Sequence, residues 1–324
     1  MVRRRLKILV SFGVLGLLLV LLPWQQVKET WHNVSLSIWT ALLAGFIIVH
    51  LLGVIKWRTI INANAGRSPL HLLDGVRFYA AGLFANLCLP SIVGGDVLRA
   101  TLAGKRIGQP EAVVLGGLAD RMIDILAIAV LVAVGGLLAG GSLSGWSTPL
   151  ILLVCLVTVG ILMMMLPLLL KRPLNRWPAK YRHRVGRALV SLRRLWQSPG
   201  ATLSALTFAL VMQSSFVLLN AWLGYSLGID VHLAVWFLVW PLAKAAGLLP
   251  VSLGGLGVRD ATLAALLVPF GVPLAQGLVA SIAWTTVMIG GGLLGGLFWW
   301  MLGHSPGAGR EILSLSSSSH RSHG

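Results

Sequence analysis

Two matching segments, about half a chain apart, carry the residue types best suited to bind an anion. Residues 89–99 and residues 249–259 both read L-P-x-x-x-G-G-x-x-x-R, so Arg99 and Arg259 occupy equivalent positions. A proline and paired glycines interrupt a helix, so each segment predicts one helix that ends and another that begins. A helix N-terminus presents free backbone N–H groups, which together with a guanidinium group bind phosphate oxygens well.

Each segment also contains a serine and has an acidic residue within it or directly after it. The predicted anion site consists of the hydroxyl, backbone and charged groups of Ser91, Gly94, Gly95, Asp96, Arg99, Ser252, Gly254, Gly255, Arg259 and Asp260. The glycine pairs leave an alternative open, because small residues also let two helices pack closely. The sequence therefore predicts either anion recognition or tight helix packing at these two points.

A third charged motif, D-R-x-x-D, lies inside an apolar run. Helical spacing places Asp120 and Asp124 on one face and brings Arg121 within reach of Asp124. These side chains either line a polar pocket for a charged ligand or pair with Arg99 or Arg259 and hold the helices together. Both interpretations stay open at the level of the sequence.

The elements that must position these residues are membrane helices. Hydrophobic residues make up 56% of the 324-residue chain, and the mean hydropathy is +0.86. Its 26 lysines and arginines outnumber nine acids, and most of them fall in short loops between apolar runs, as the positive-inside rule describes. We therefore expect no nucleic acid partner. The two cysteines and eight histidines form no metal or redox motif, so no cofactor is expected.

Apolar runs of spanning length predict six transmembrane helices. They lie at about 6–22, 37–55, 111–139, 149–170, 203–227 and 275–302. The interrupted regions at about 75–104 and 233–271 contain the two motifs and are expected to form re-entrant broken-helix hairpins. The predicted fold is an all-α polytopic membrane protein, whose membrane domain covers residues 1–304.

Charge places the predicted loops relative to the membrane. With a cytoplasmic N-terminus, the cytoplasmic loops contain most basic residues, including Lys56, Arg58 and the basic loop 171–196. That loop reads as an amphipathic helix on the anionic leaflet or as a solvated loop. Residues 305–324 are expected to form a disordered cytoplasmic tail. Full crossing by both broken regions would give the same charge distribution, so the choice between re-entry and crossing stays open.

The predicted spans also fall into two halves of three crossings each. Half one covers about 6–139 and half two about 149–302, so the second copy is expected to be inverted relative to the first. Inside the membrane, Asn86 suits a helix–helix hydrogen bond. Lys244 either faces the interior or extends to a membrane surface.

Together the three motifs resemble a known family. The segments Pro90–Arg99, Asp120–Asp124 and Ser252–Asp260 are similar to those of the lysylphosphatidylglycerol synthase transmembrane region, although Asp260 stands where the family more often has Glu. The full synthases carry a soluble aminoacyl-transfer domain, which the resemblance does not cover. It therefore implies a stand-alone lipid-translocating module and no enzyme activity of this chain.

The resulting hypothesis is a flippase that moves a phosphate-bearing or otherwise anionic lipid between leaflets of the bacterial inner membrane. Its partners would be membrane lipids, with both termini in the cytoplasm. The alternative is a scaffold that does not transport lipid but holds a lipid- or glycolipid-modifying enzyme. No nucleotide-binding G-x-x-x-x-G-K-[ST] motif occurs, so transport is expected to run downhill or to be coupled to ions.

Overall fold

The computed structural model describes residues 35–65, 69–88, 94–139, 198–247 and 257–303, and within these ranges all regular structure is helical. The α-helices are α1 (Leu36–Ala65), α2 (Leu72–Cys88), α3 (Gly94–Ile107), α4 (Pro110–Leu138), α5 (Pro199–Ser226), α6 (Leu233–Gly247), α7 (Val258–Leu267) and α8 (Leu274–Gly303). A 3₁₀ turn, Val268–Phe270, connects α7 to α8. The all-α prediction is confirmed for this part of the chain.

Four helices, α1, α4, α5 and α8, are long and apolar enough to cross a membrane. They have 28 to 30 residues, which corresponds to about 42–45 Å and exceeds the roughly 30 Å hydrocarbon core. Large apolar side chains on their outer faces, such as Leu118, Leu293 and Phe298, are exposed and suit contact with lipid. The predicted spans at 6–22 and 149–170 lie outside the described residues, as do the loop 171–196 and the tail 305–324.

Each region that contains a motif forms two short helices. The first gives α2 and α3, of 17 and 14 residues, and the second gives α6 and α7, of 15 and 10 residues. Each of these helices is about 15–26 Å long, which is shorter than the hydrocarbon core. Helices are described on both sides of each motif, while the residues that connect the paired helices, where the breaks are predicted, lie outside the described ranges.

Glycines let helix α8 pack closely on α2 and helix α4 pack closely on α6. A Cβ atom added to Gly295 of α8 would lie 2.9 Å from the Ala80 carbonyl oxygen of α2. One added to Gly135 of α4 would meet the backbone of Phe237 in α6. These glycines therefore serve close helix packing.

The apolar core lies between the same helices. The aromatic residues Phe46, Phe216, Trp236, Trp240 and Trp284 are all buried in one cluster, which joins α1, α5, α6 and α8. Polar and charged side chains are buried beside this cluster, and they form the candidate site.

Candidate functional site

Arg99 is buried at the start of α3 and is held by carboxylates on two helices. Its guanidinium group lies 3.1 Å from Asp96, one turn earlier in α3, and 2.9 Å from Asp120 of α4. It also lies over the rings of Trp57 and Tyr79, at 5.1 and 4.9 Å from their centroids. Ion pairs and aromatic faces both stabilise a guanidinium group that has left water. The pair of Arg99 with Asp120 is one of the alternatives that the sequence left open.

Lys56 joins the same cluster from α1. Its ammonium group is 2% exposed, lies 3.0 Å from Asp120 and donates a hydrogen bond to Asp124. The spacing of four places both carboxylates on one face of α4, as predicted, and Lys56 bridges them. The assignment of Lys56 to a cytoplasmic loop is wrong. Helix α1 continues past Lys56 to Ala65, and the Lys56 side chain is buried against α4.

Arg121 takes a partner outside its own helix. The expected contact with Asp124 is replaced by a contact with Asp96 of α3, to which its Nε donates at 2.7 Å. Asp124 is already occupied by Lys56, and Arg121 lies at the edge of the cluster, with 41% of its side chain exposed. The contact links α4 to α3.

These residues form one charge-balanced group, which we call the α3–α4 cluster. It contains three cations and three carboxylates: Lys56, Arg99, Arg121, Asp96, Asp120 and Asp124. Asp124 lies near the middle of α4, a helix of spanning length, so the cluster extends to mid-depth. Charges at this depth are costly unless they are paired, and here each is paired.

The second motif forms a separate, smaller group at the start of α7. Arg259 donates to Asp260 Oδ1 from Nη2 at 2.7 Å and to the Thr285 hydroxyl at 2.6 Å. Asp260 also accepts from Ser281 and, through Oδ2, from the backbone N–H of Gly257 at 3.0 Å, which caps α7. Gly257 has a φ of 83°, a conformation that favours glycine.

The two motif arginines have similar surroundings. Arg259 lies 5.9 Å from the ring centroid of Trp240 in α6, as Arg99 lies over Tyr79 in α2. In each case an aromatic ring of the preceding short helix lies beside the guanidinium group, and a carboxylate pairs with that group. The predicted equivalence of the two arginines therefore extends to their contacts.

Gly95 of the first motif serves helix packing. Gly95 lies against Gly82 of α2, where a Cβ atom would overlap the carbonyl oxygen. Its N–H donates to Asn86 Oδ1 at 3.0 Å, so one of the N–H groups expected to be free is occupied by a helix–helix hydrogen bond. That role for Asn86 is confirmed. Gly94 begins α3, whereas the remaining predicted site residues, Ser91, Ser252, Gly254 and Gly255, lie outside the described residues.

Lys244 of α6 points to the interior and not to a membrane surface. Its Nζ donates to Gln213 Oε1 at 2.7 Å and lies 4.8 Å from the Phe216 ring centroid, and both partners belong to α5. Nearby, His50 lies between the Phe216 and Tyr79 rings, at 5.3 and 5.8 Å. Within the described ranges, His, Cys, Asp and Glu side chains form no group that could hold a metal ion.

Three polar residues of this region were not predicted from the sequence: Lys56, Gln213 and His50. Lys56 follows directly on an apolar run, so its position suggested a loop. The available signal was the apolar character of the residues after it, Trp57, Ile60 and Ile61, which continue the helix. Gln213 and His50 are single polar residues in apolar helices, so the sequence does not indicate which residues they contact.

Comparison with known proteins gives one match. Curated proteins and solved structures yield none. The family model described as the lysylphosphatidylglycerol synthase TM region matches residues 6–303, which include all of the described helices. The chain is thus an integral membrane protein that belongs to the family of the lysylphosphatidylglycerol synthase TM region.

Proposed function

We propose that this protein is a lipid flippase of the bacterial inner membrane, which moves a phosphate-bearing or otherwise anionic lipid between leaflets. The observation that carries the proposal is the α3–α4 cluster, a group of six charges inside a lipid-related membrane domain. A headgroup crossing the membrane needs polar contacts, since the hydrocarbon core offers none. The cluster supplies such contacts, while the acyl chains stay in the surrounding lipid.

The headgroup is bound in this proposal by an exchange of ion-pair partners. Arg99 has two carboxylate partners, Asp96 and Asp120, so it can release one and accept a phosphate oxygen while the other holds it. The rings of Trp57 and Tyr79 keep the guanidinium group in position during the exchange. Arg259 binds the headgroup from the other half: Asp260 holds the guanidinium group while a phosphate oxygen replaces the Thr285 hydroxyl as an acceptor.

An inverted repeat of two halves fits this movement and is part of the proposal. Its support is the correspondence of lengths and contacts, because α1 to α4 have 30, 17, 14 and 29 residues and α5 to α8 have 28, 15, 10 and 30. Helix α2 packs on α8, and α6 packs on α4 in the corresponding way. With the predicted spans at 6–22 and 149–170, six crossings and two re-entrant hairpins place both termini in the cytoplasm.

The test uses purified protein in liposomes that contain fluorescent lipids in one leaflet. We expect exchange of phosphatidylglycerol by the wild type and its loss in Arg99→Ala and in Arg259→Ala. Lys105→Ala, which removes an exposed positive charge in the last turn of α3, is the matched control and should exchange lipid normally. Wild-type exchange by both motif variants, in protein that is inserted and folded, would refute the proposed role of the arginines.

The second candidate is a scaffold for a lipid-modifying enzyme. It is favoured by the pairing of every charge in the α3–α4 cluster, because such a cluster can hold helices together without any ligand. A scaffold predicts that function survives the loss of motif charges but requires the basic loop 171–196. Capture of one enzyme partner, lost on neutralising that loop, would favour the scaffold. In both cases the chain itself performs no chemical reaction.

A further inference from the structure

Lys244 is a cation at mid-depth for which the proposed function has given no role. Its partner Gln213 lies at the middle of the 28-residue helix α5 and is itself 3% exposed. An ammonium group has three N–H donors, and Gln213 accepts from one of them. The ring of Phe216 covers another side of the group, at 4.8 Å from its centroid. Lys244 is therefore a largely enclosed positive charge with donors to spare.

No carboxylate forms an ion pair with Lys244 in the described part of the chain. The four acids of the membrane interior, Asp96, Asp120, Asp124 and Asp260, all contact other cations. Outside the described residues the sequence has only two acids, Glu29 and Glu311, near the two ends of the chain. The interior groups thus carry an excess of one positive charge, which is located on Lys244.

Three other described cations also have no carboxylate partner. Arg58 donates to the Leu70 carbonyl just before α2, Arg77 is in the second turn of α2, and Lys105 is exposed in the last turn of α3. Lys244 also lies in the last turn of its helix, but its partner Gln213 lies at the middle of α5, a helix long enough to cross the membrane. Water and lipid headgroups do not reach the middle of a span, so a counter-charge for Lys244 has to come from inside the membrane domain or from a ligand.

Two further donors lie on the same face of α6. Trp236, Trp240 and Lys244 are spaced four residues apart, so they follow one another along that face. Both tryptophans are buried, at 0% and 3% exposure, and neither indole N–H has a hydrogen-bond partner among the described residues. Unpaired buried donors are rare in native proteins and call for an explanation.

Aromatic contacts connect Trp240 to the ring beside Lys244. Trp240 packs on Trp284 with ring centroids 5.5 Å apart, and Trp284 packs on Phe216 at 6.2 Å. Phe216 is the ring below Lys244. The face therefore offers one uncompensated positive charge, several N–H donors and an apolar surface, but no negative charge.

We propose that Lys244, with the Trp240 indole one turn before it on the same face of α6, forms the subsite that binds the phosphodiester of the transported lipid, and this rests on the proposed function. A phosphodiester carries one negative charge, which matches the single excess cation, and its oxygens only accept hydrogen bonds. Arg99 and Arg259 are paired with carboxylates on either side of this subsite, whereas the charge of Lys244 is neutralised by the ligand. An uncharged headgroup supplies no negative charge to balance Lys244.

The test is equilibrium binding to the full-length protein in zwitterionic nanodiscs, measured by tryptophan fluorescence. The probes are dioctanoyl phosphatidylglycerol, inorganic phosphate and dioctanoylglycerol, which has no phosphate. We expect phosphatidylglycerol to bind at least about tenfold more weakly to Lys244→Met, the loss expected for one charged hydrogen bond. Lys105→Met removes an exposed charge by the same substitution and should bind as the wild type does.

Fold is controlled by thermal unfolding of the same samples. Lys244→Met removes an enclosed, unbalanced charge, so its unfolding temperature is expected to equal or exceed that of the wild type. Competition by inorganic phosphate would identify phosphate alone as sufficient for the subsite, whereas no competition would show that the lipid chains are also required. Wild-type affinity of Lys244→Met for phosphatidylglycerol, or equal binding of dioctanoylglycerol, would overturn the proposal.

The two proposals can fail separately. If the wild type binds phosphatidylglycerol through Lys244 but liposomes show no leaflet exchange, the subsite stands and the flippase function does not. If the wild type exchanges lipid and Lys244→Met exchanges it at the same rate and with the same headgroup preference, the function stands and the subsite does not.

Discussion

Asp120→Asn is the change that tests most sharply how the α3–α4 cluster stabilises the fold. Asp120 lies 3.0 Å from Lys56 and 2.9 Å from Arg99, and all three side chains are at most 7% exposed. The substitution keeps the shape of the side chain but removes one negative charge from a balanced group of six. Lys56 retains Asp124, while Arg99 must share Asp96 with Arg121. One positive charge in the cluster is then uncompensated.

The expected cost is about 3 kcal/mol, the lower end of the range for removing one partner of a buried ion pair. The lower end applies because the asparagine amide oxygen still accepts a hydrogen bond. The matched control is Asp74→Asn, which removes the carboxylate of the pair to Arg106 at a similar distance of 3.0 Å. There Arg106 is 41% exposed, so the expected cost is no more than about 1 kcal/mol.

Unfolding in mixed micelles with a rising fraction of sodium dodecyl sulfate, followed by tryptophan fluorescence, gives the free energy of unfolding of each variant. A double variant, Lys56→Met with Asp120→Asn, restores the balance of charge in the cluster. It should be less destabilised than the sum of the two single changes, by about 1 kcal/mol or more. Equal losses for Asp120→Asn and Asp74→Asn, or strictly additive losses in the double variant, would refute the argument from charge balance.

Two further predictions concern the helices that hold the motifs. Gly95→Ala forces a Cβ atom into the Gly82 carbonyl and should lower the free energy of unfolding by about 1–3 kcal/mol, whereas Gly117→Ala, with nothing within 4 Å, should be neutral or slightly stabilising. The same unfolding assay measures both, and a larger loss at Gly117 would contradict the packing. Asp260→Asn should cost about 3 kcal/mol, because it leaves Arg259 without its carboxylate; a free energy of unfolding within 0.5 kcal/mol of the wild type, on the order of a surface substitution, would exclude this.

Local chemistry made the motif arginines predictable. Proline and paired glycines end helices, so α3 and α7 begin close to the glycine pairs. Arg99 lies in the second turn of α3 and Arg259 in the first turn of α7. The spacing of Asp120 and Asp124 likewise placed both on one face. Such inferences need only the period of a helix, which the sequence contains.

Partners on other helices could not be predicted in the same way. The spacing rule paired Arg121 with Asp124, but tertiary packing brought Lys56 to Asp124 and Asp96 to Arg121. The end of α1 was misplaced because a lysine after an apolar run resembles a loop residue. Lys56 is buried because it pairs with Asp120 and Asp124 of α4, and the sequence does not show that α1 and α4 are neighbours.

The central claim, lipid translocation, is tested most directly by the rate of leaflet exchange of phosphatidylglycerol in liposomes that contain the wild-type protein. We predict exchange well above that of protein-free liposomes, and faster than exchange of a lipid without phosphate under the same conditions. Exchange no faster than in protein-free liposomes, for every headgroup and with demonstrably folded protein, would contradict the claim.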